Sequence, residues 1–294
     1  DNINALPHPR ANDDAFVTAV WLRVVEDFAP FDITVTTDEA VYLAAVPSER
    51  YLHMIITPTN DVAPGAGGVA NLGSYSDRDT GIAWTFNQDE YSCAVTISHE
   101  AGHAFGLSHD GPGPVPFVAY YGGHNTAYSP GWAPIMGAPW NDELSEYQLE
   151  EVVQWSRGDY ADADNQEDDV ALIAGANNGF GFVADDYADA YDAGGALDVG
   201  LLGNTGLNEV GASGLITSSV DVDVFRFSAV YTGDVTLTAF PLDVESDDPE
   251  LGSETQGADL AIDIRLLDEN GVVLAAGTNA GAVDLASEIQ MNIV

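Results

Sequence analysis

His99, Glu100, Ala101, Gly102, His103, Ala104, Phe105, Gly106, Leu107, Ser108, His109 and Asp110 form the stretch from which the rest of the chain is read. Residues 92–104 predict a helix that stops at Gly106, a residue suited to a left-handed C-terminal turn. On that helix His99 and His103 lie four apart, one above the other on a single face, so both imidazoles can reach one metal ion. Glu100 is one step round the helix, beside the position such an ion would leave open. Gly106 then lets the chain turn sharply enough for His109 to approach from below. Three histidine ligands with a fourth position kept for water is the arrangement that separates a catalytic zinc from a structural one.

Two histidines four apart on a helix also arise by chance. The full spacing, with Gly106 and His109 in place, is far more demanding, and it takes three of the six histidines in the chain. The other three have ordinary readings: His8 near a mobile terminus, His53 inside a buried strand, and His124 on a glycine-rich loop at the edge of any cleft.

Upstream of the motif, Phe16, Val20, Val24 and Phe28 recur at helical spacing, which predicts a helix over 13–27 capped by Asn12 or Asp13. Residues 31–37 alternate apolar and polar, a half-buried strand, and 51–57 read as a more deeply buried one. A helix over 38–45 joins them. Short strands follow at 69–75 and 82–86, so strand and helix alternate as in an α/β layer. Residues 111–139, rich in Gly, Pro and aromatics, predict a long ordered loop. Leu144, Tyr147, Val152 and Trp155 predict a second helix over 142–155, capped by Asp142. Beyond Asp159 the composition shifts to Asp, Ala, Asn and Gly, and a domain boundary is expected near residue 179. Short apolar runs at 215–217, 222–227, 235–240, 260–267 and 272–276 then predict a small antiparallel sandwich, with Asp268, Glu269, Asn270 and Gly271 as a hairpin turn.

The chain has 294 residues, too many for one core to serve comfortably. At 46% hydrophobic residues it has the material for two, so its acidity does not mean disorder. That acidity is extreme: 48 Asp and Glu oppose 7 cationic residues, all Arg, for a formal net charge of -41. Such a surface repels nucleic acid and anionic lipid, and repels itself unless salt or bound cations screen it. Adaptation to high salt, or to a calcium-rich marine medium, is the expectation. No apolar run approaches the roughly 20 residues of a membrane span. The sequence opens at Asp1 without a leader pattern, so any export signal is expected to have been removed or to lie outside this sequence. Cys93 has no second cysteine to pair with and reads as a small buried apolar residue.

The motif resembles the signature of the metzincin zinc proteases, HExxHxxGxxH followed by a Met-turn. Ala133, Pro134, Ile135, Met136 and Gly137 resemble that turn, which in the clan sets a methionine beneath the zinc-binding imidazoles. Asp110 after the third histidine resembles the reprolysin-like branch, where it implies an internal structural bond, and the lack of disulfides points to a bacterial or archaeal relative. Gln154 to Tyr160 is similar to the tail of bacterial secreted metzincins. Residues from Asp185 onward resemble the bacterial pre-peptidase C-terminal domain, notably 219–227 and 259–271.

These resemblances imply an α+β catalytic domain over 1–178, with a twisted mixed sheet, an active-site helix and a C-terminal helix, followed by an all-β sandwich over 179–294. They imply a secreted, extracellular zinc metalloendopeptidase, acting as a monomer on protein or peptide substrates. Zinc would be held by His99, His103 and His109, Glu100 would be the catalytic base, and Met136 would have a structural role. Trp132 and Trp140 are candidate walls of a specificity pocket, or ordinary packing aromatics. The acidic runs at 159–169 and 185–192 are dense enough to hold calcium as a structural ion, or simply form a solvated face. The competing expectation is a secreted matrix- or surface-binding protein with a vestigial zinc site, against which the intact Glu100 argues.

Overall fold

The structure is a computed structural model. It describes residues 5–45, 50–76, 81–113, 120–126, 129–139, 151–192, 195–196, 211–228, 232–241, 259–277, 279–281 and 284–293. Helix α1 (Asp14–Phe28) begins where the Asp13 side chain accepts a hydrogen bond from the Phe16 N–H. Its buried Phe16, Val20, Val24 and Phe28 face α3 (Glu90–Phe105), the longest helix described. Between them lie α2 (Glu39–Ala45), β1 (His53–Ile56), β2 (Gly68–Val69), a 3-10 turn at Ser74–Ser76 and β3 (Ile82–Thr85). The three strands form one mixed sheet in the order β1-β3-β2, with β1 parallel and β2 antiparallel to β3. This leaves β2 at an edge.

Helix α3 is capped by Asp89, whose side chain accepts from the Ser92 N–H. It is covered on almost all sides from Cys93 to Gly102, which makes it the axis of the core rather than a surface helix. Gly106 ends it in a left-handed conformation, φ 108°, and its N–H turns back to the carbonyls of Gly102 and His103. Phe28, Phe31, Phe105 and Trp155 pack around this end of the helix. At the other end of the helix Cys93 is fully buried and unpaired, and burial beside Asp89 pushes its thiol up to about 12.

Several expectations change in the folded chain. Residues 31–37 do not form a strand. Phe31 makes a single bridge to Phe182, while Ile33 and Val35 pack on the core in an extended segment. The expected loop over 111–139 contains β4 (His124–Thr126) and β5 (Ser129–Pro134). The helix predicted over 142–155 is corrected at its C-terminal end. Residues 140–150 lie outside the described part, but Glu151–Gln154 is strand β6, parallel to β5 and in register Gly131↔Glu151 to Pro134↔Gln154. Val152 and Val153 are neighbours, both buried. A strand points them to opposite faces and covers each, and their β-branched side chains suit that geometry better than a helix. His8, expected near a mobile end, is buried and stacked on Phe16 with ring centroids 4.8 Å apart.

A short helix α4 (Asp169–Ile173) closes the first region, and Phe180 still packs on its core. Beyond it come β7 (Gly195–Ala196), β8 (Phe225–Arg226), β9 (Gly233–Ala239), β10 (Ile264–Leu267), β11 (Val273–Gly277), β12 (Asn279–Gly281) and β13 (Asp284–Ile293). These form three small sheets among the described residues. The turn at 268–271 joins β10 to β11 with Gly271 at φ 79°. Strand β13, absent from the sequence reading, pairs over Ser287–Ile293 with the whole of β9. Asp259 ties this half to the first. Its carboxylate accepts from the Val153 N–H, and its own N–H donates to Glu26. Burial, Asp27 and Glu26 together hold the Asp259 carboxyl well above the usual carboxylate range, against the pull of Arg23.

Candidate metal centre

The last turns of α3 carry His99, Glu100 and His103, and the left-handed turn at Gly106 returns the chain so that His109 faces them. One ligand nitrogen from each histidine lies within 4.8 Å of the others. The ring centroids are 4.8 Å apart for His99 and His103, 5.2 Å for His99 and His109, and 4.6 Å for His103 and His109.

The backbone decides which nitrogen of each ring faces inward. His99 Nδ1 lies 2.8 Å from the carbonyl oxygen of Ile135, and His103 Nδ1 lies 2.8 Å from that of Leu107. A carbonyl only accepts, so both Nδ1 atoms carry hydrogen. Burial and the neighbouring imidazoles hold His99 down to about 3 and His109 down to about 4, and burial lowers His103 as well. All three rings are therefore neutral at pH 7, and Nε2 of His99 and His103 is left as a bare lone pair, the form a metal requires. His103 Nε2 and His109 Nε2 stand 2.8 Å apart, hydrogen-bonded to each other.

Glu100 is 6% exposed, and its Oε2 has no hydrogen-bond partner among the described residues. Desolvation pushes its carboxyl up to about 7, against the pull of a hydrogen bond from the Ala70 backbone. Edge strand β2 presses on it: a Cβ added to Gly68 would sit 2.7 Å from Glu100. Three neutral imidazoles, two of them in a tautomer fixed by a backbone carbonyl, with a buried carboxylate oxygen still lacking a donor, fit a three-histidine zinc with a water in the open position.

Met136 is fully buried in a turn closed by the Gly137 N–H donating to Pro134. Its own carbonyl accepts from the Asp110 N–H at 2.9 Å, and the preceding carbonyl, of Ile135, is the one that orients His99. The turn thus holds one ligand directly and the residue after another. Asp110 is 1% exposed and belongs to this internal scaffold, with Ser156 and Asn165 hydrogen-bonded to its carboxylate. Trp132 is half-buried, packs on Val152 and donates to Gln154, and it neighbours His124 and Tyr160 rather than the three histidines. Trp140 lies outside the described residues. Carboxylates of Asp185, Asp189 and Asp221, and of Asp185, Asp186 and Asp223, approach within 4.8 Å of one another in exposed or half-buried positions.

Two features had no signal in the sequence. The first is a brace on His109 supplied by the acidic run at 159–169. Glu167 accepts from the Ser108 N–H at 2.9 Å, Asn165 donates to the His109 carbonyl and to Glu167, and Asp164 exchanges hydrogen bonds with Gly111 in both directions. Glu167→Ala is expected to weaken zinc binding by about 10- to 100-fold, the usual consequence of losing an outer support of a ligand. Competition with a chromogenic chelator measures it, and an unchanged zinc affinity would show that His109 needs no such support. The second is Tyr120, whose ring centroid lies 4.4 Å from that of His109 and 6.3 Å from that of His99.

No family model matches the chain, and no curated protein matches it at a significant level.

Proposed function

We propose that this chain is a zinc-dependent endopeptidase with a metzincin-like centre. The observation that carries the reading is the inward-facing set of neutral histidines with the unpartnered carboxylate of Glu100 beside it. Zinc held by His99, His103 and His109 would supply Lewis acidity toward a peptide carbonyl and an acidified water. Glu100 accepts the proton of the attacking water and returns it to the leaving amine, a role that suits a buried carboxylate whose proton affinity is already raised. Strand β2 is an edge of its sheet and runs past Glu100, so an extended peptide can add to it by main-chain hydrogen bonds. Secretion into a salty medium belongs to the same proposal, supported by the charge of -41 and the absence of Lys.

The test is zinc content and casein hydrolysis, at fixed calcium, from about 0.1 M NaCl, where screening reaches about 10 Å, to several molar. One zinc per chain, and activity that rises with salt, falls on zinc chelation by phenanthroline and returns with zinc, is the expected result. A protein that binds zinc and cleaves no peptide at any salt is better read as a binding protein. Loss of activity with a calcium-selective chelator alone would place the metal requirement elsewhere.

A further inference from the structure

We propose that Tyr120 is a further catalytic residue of this centre, its hydroxyl donating a hydrogen bond to the scissile carbonyl oxygen as negative charge builds on it. The inference rests on the endopeptidase reading and adds a group that no motif in the sequence marks.

Three observations carry it. First, the ring lies at the mouth of the site: its centroid is 4.4 Å from that of His109 at a 46° tilt, and 6.3 Å from that of His99. Second, it is 37% exposed, in contrast to the buried His99 and Glu100, so it stands where a substrate would enter. Its hydroxyl is close enough to Glu100 for the two to interact electrostatically. Third, its backbone is held by its neighbour from two sides. The Tyr121 N–H donates to the Asp110 carbonyl, and the Tyr121 carbonyl accepts from the Ala138 N–H at 2.9 Å. The Tyr121 ring stacks on Tyr160 with centroids 4.2 Å apart. The segment that presents Tyr120 is therefore anchored, through Tyr121, to the residue after the third histidine and to the methionine turn together.

Among the described side chains at the site, Tyr120 supplies a donor that Glu100, His99 and His103 do not. Glu100 is an acceptor, and His99 and His103 spend their N–H groups on carbonyls and turn bare nitrogens inward. A phenol is neutral at pH 7, and its O–H needs no titration to act. The proton stays on the tyrosyl oxygen throughout, while the proton of the attacking water goes to Glu100. In the free protein Tyr120 is exposed enough for water to reach it. Once a peptide displaces that water, the developing oxyanion becomes its partner, and a donor aimed at a charge that appears only in the transition state raises kcat rather than substrate affinity.

The experiment compares Tyr120→Phe with wild type in the zinc-loaded full chain. Phenylalanine keeps the packing on His109, so zinc content and thermal midpoint are expected to stay unchanged. Loss of an oxyanion donor commonly costs about 100- to 1000-fold in kcat, and for a half-exposed hydroxyl we expect about 10- to 100-fold with KM little altered. A readout independent of turnover is binding of a phosphinic peptide, a tetrahedral anion mimic, which should weaken by a similar factor while a cleaved-product peptide binds as before. Full activity and full phosphinate affinity in Tyr120→Phe would make Tyr120 a packing aromatic and overturn the proposal. Loss of zinc in that variant would also overturn it, by making the residue a support of His109. Tyr120→Leu, which removes the ring, shows what loss of packing alone does. A wild type that cleaves nothing overturns the endopeptidase reading and this inference with it, whereas an active wild type matched by Tyr120→Phe sinks only the latter.

Discussion

Glu100→Ala is expected to keep zinc and to lower kcat on a peptide substrate by about 100- to 10,000-fold, the range over which a positioned general base acts. The two halves of that result have separate causes. On this reading the metal would be held by His99, His103 and His109; the tautomers of the first two are set by the carbonyls of Ile135 and Leu107 and owe nothing to Glu100. The proton acceptor is Glu100 alone among described carboxylates placed beside these rings, and its Oε2 has no other partner. Removing a buried carboxylate that burial holds up to about 7 also removes a desolvation cost, so the variant should be at least as stable as wild type. Zinc by elemental analysis, the thermal midpoint and initial rates on one fluorogenic peptide decide the matter. Retained hydrolysis would remove Glu100 from the chemistry, and lost zinc would mean that the carboxylate is itself a ligand.

Gly102→Ala is expected to destabilise the protein by about 1–3 kcal/mol, as overpacking does. Alanine inside a helix normally gains up to about 1 kcal/mol over glycine, so even the sign is informative. The added Cβ would lie 2.5 Å from Met136 Sδ, 3.1 Å from Trp155 and 3.2 Å from Leu107. Met136 is fully buried and has nowhere to retreat. A shift of its turn would move the Ile135 carbonyl off His99 and the Met136 carbonyl off Asp110, so zinc affinity should fall together with stability. Pairing the change with Met136→Ala opens the space the new methyl needs. The double variant should then lose less than the sum of the two single losses, a coupling that reports direct contact. A higher thermal midpoint for Gly102→Ala would show that the methionine does not lie beneath the helix.

Much of the centre was legible because it is local. A separation of four residues on a helix places His99 and His103 on one face wherever the helix sits, and Gly106 stops that helix through its own backbone freedom. The predicted span of 92–104 stands beside an observed Glu90–Phe105. Helix α1 was legible for the same reason, through its periodic apolar residues and the Asp13 cap. What failed locally was the end of the segment over 142–155. Val152 and Trp155 suit a helical stripe, but the partner that makes 151–154 a strand, β5, lies some twenty residues earlier and leaves no mark on the local pattern.

By itself, then, the sequence determined the three histidines, Glu100 and the turn that brings His109 round, because spacing and capping act over a few residues. Only the tertiary structure decided which imidazole nitrogens face inward, that Met136 lies against Gly102, that Glu167 and Asn165 brace the third histidine, and that Tyr120 stands at the mouth. Each of these depends on backbone groups or side chains brought together from distant parts of the chain, and no periodicity or motif records that meeting.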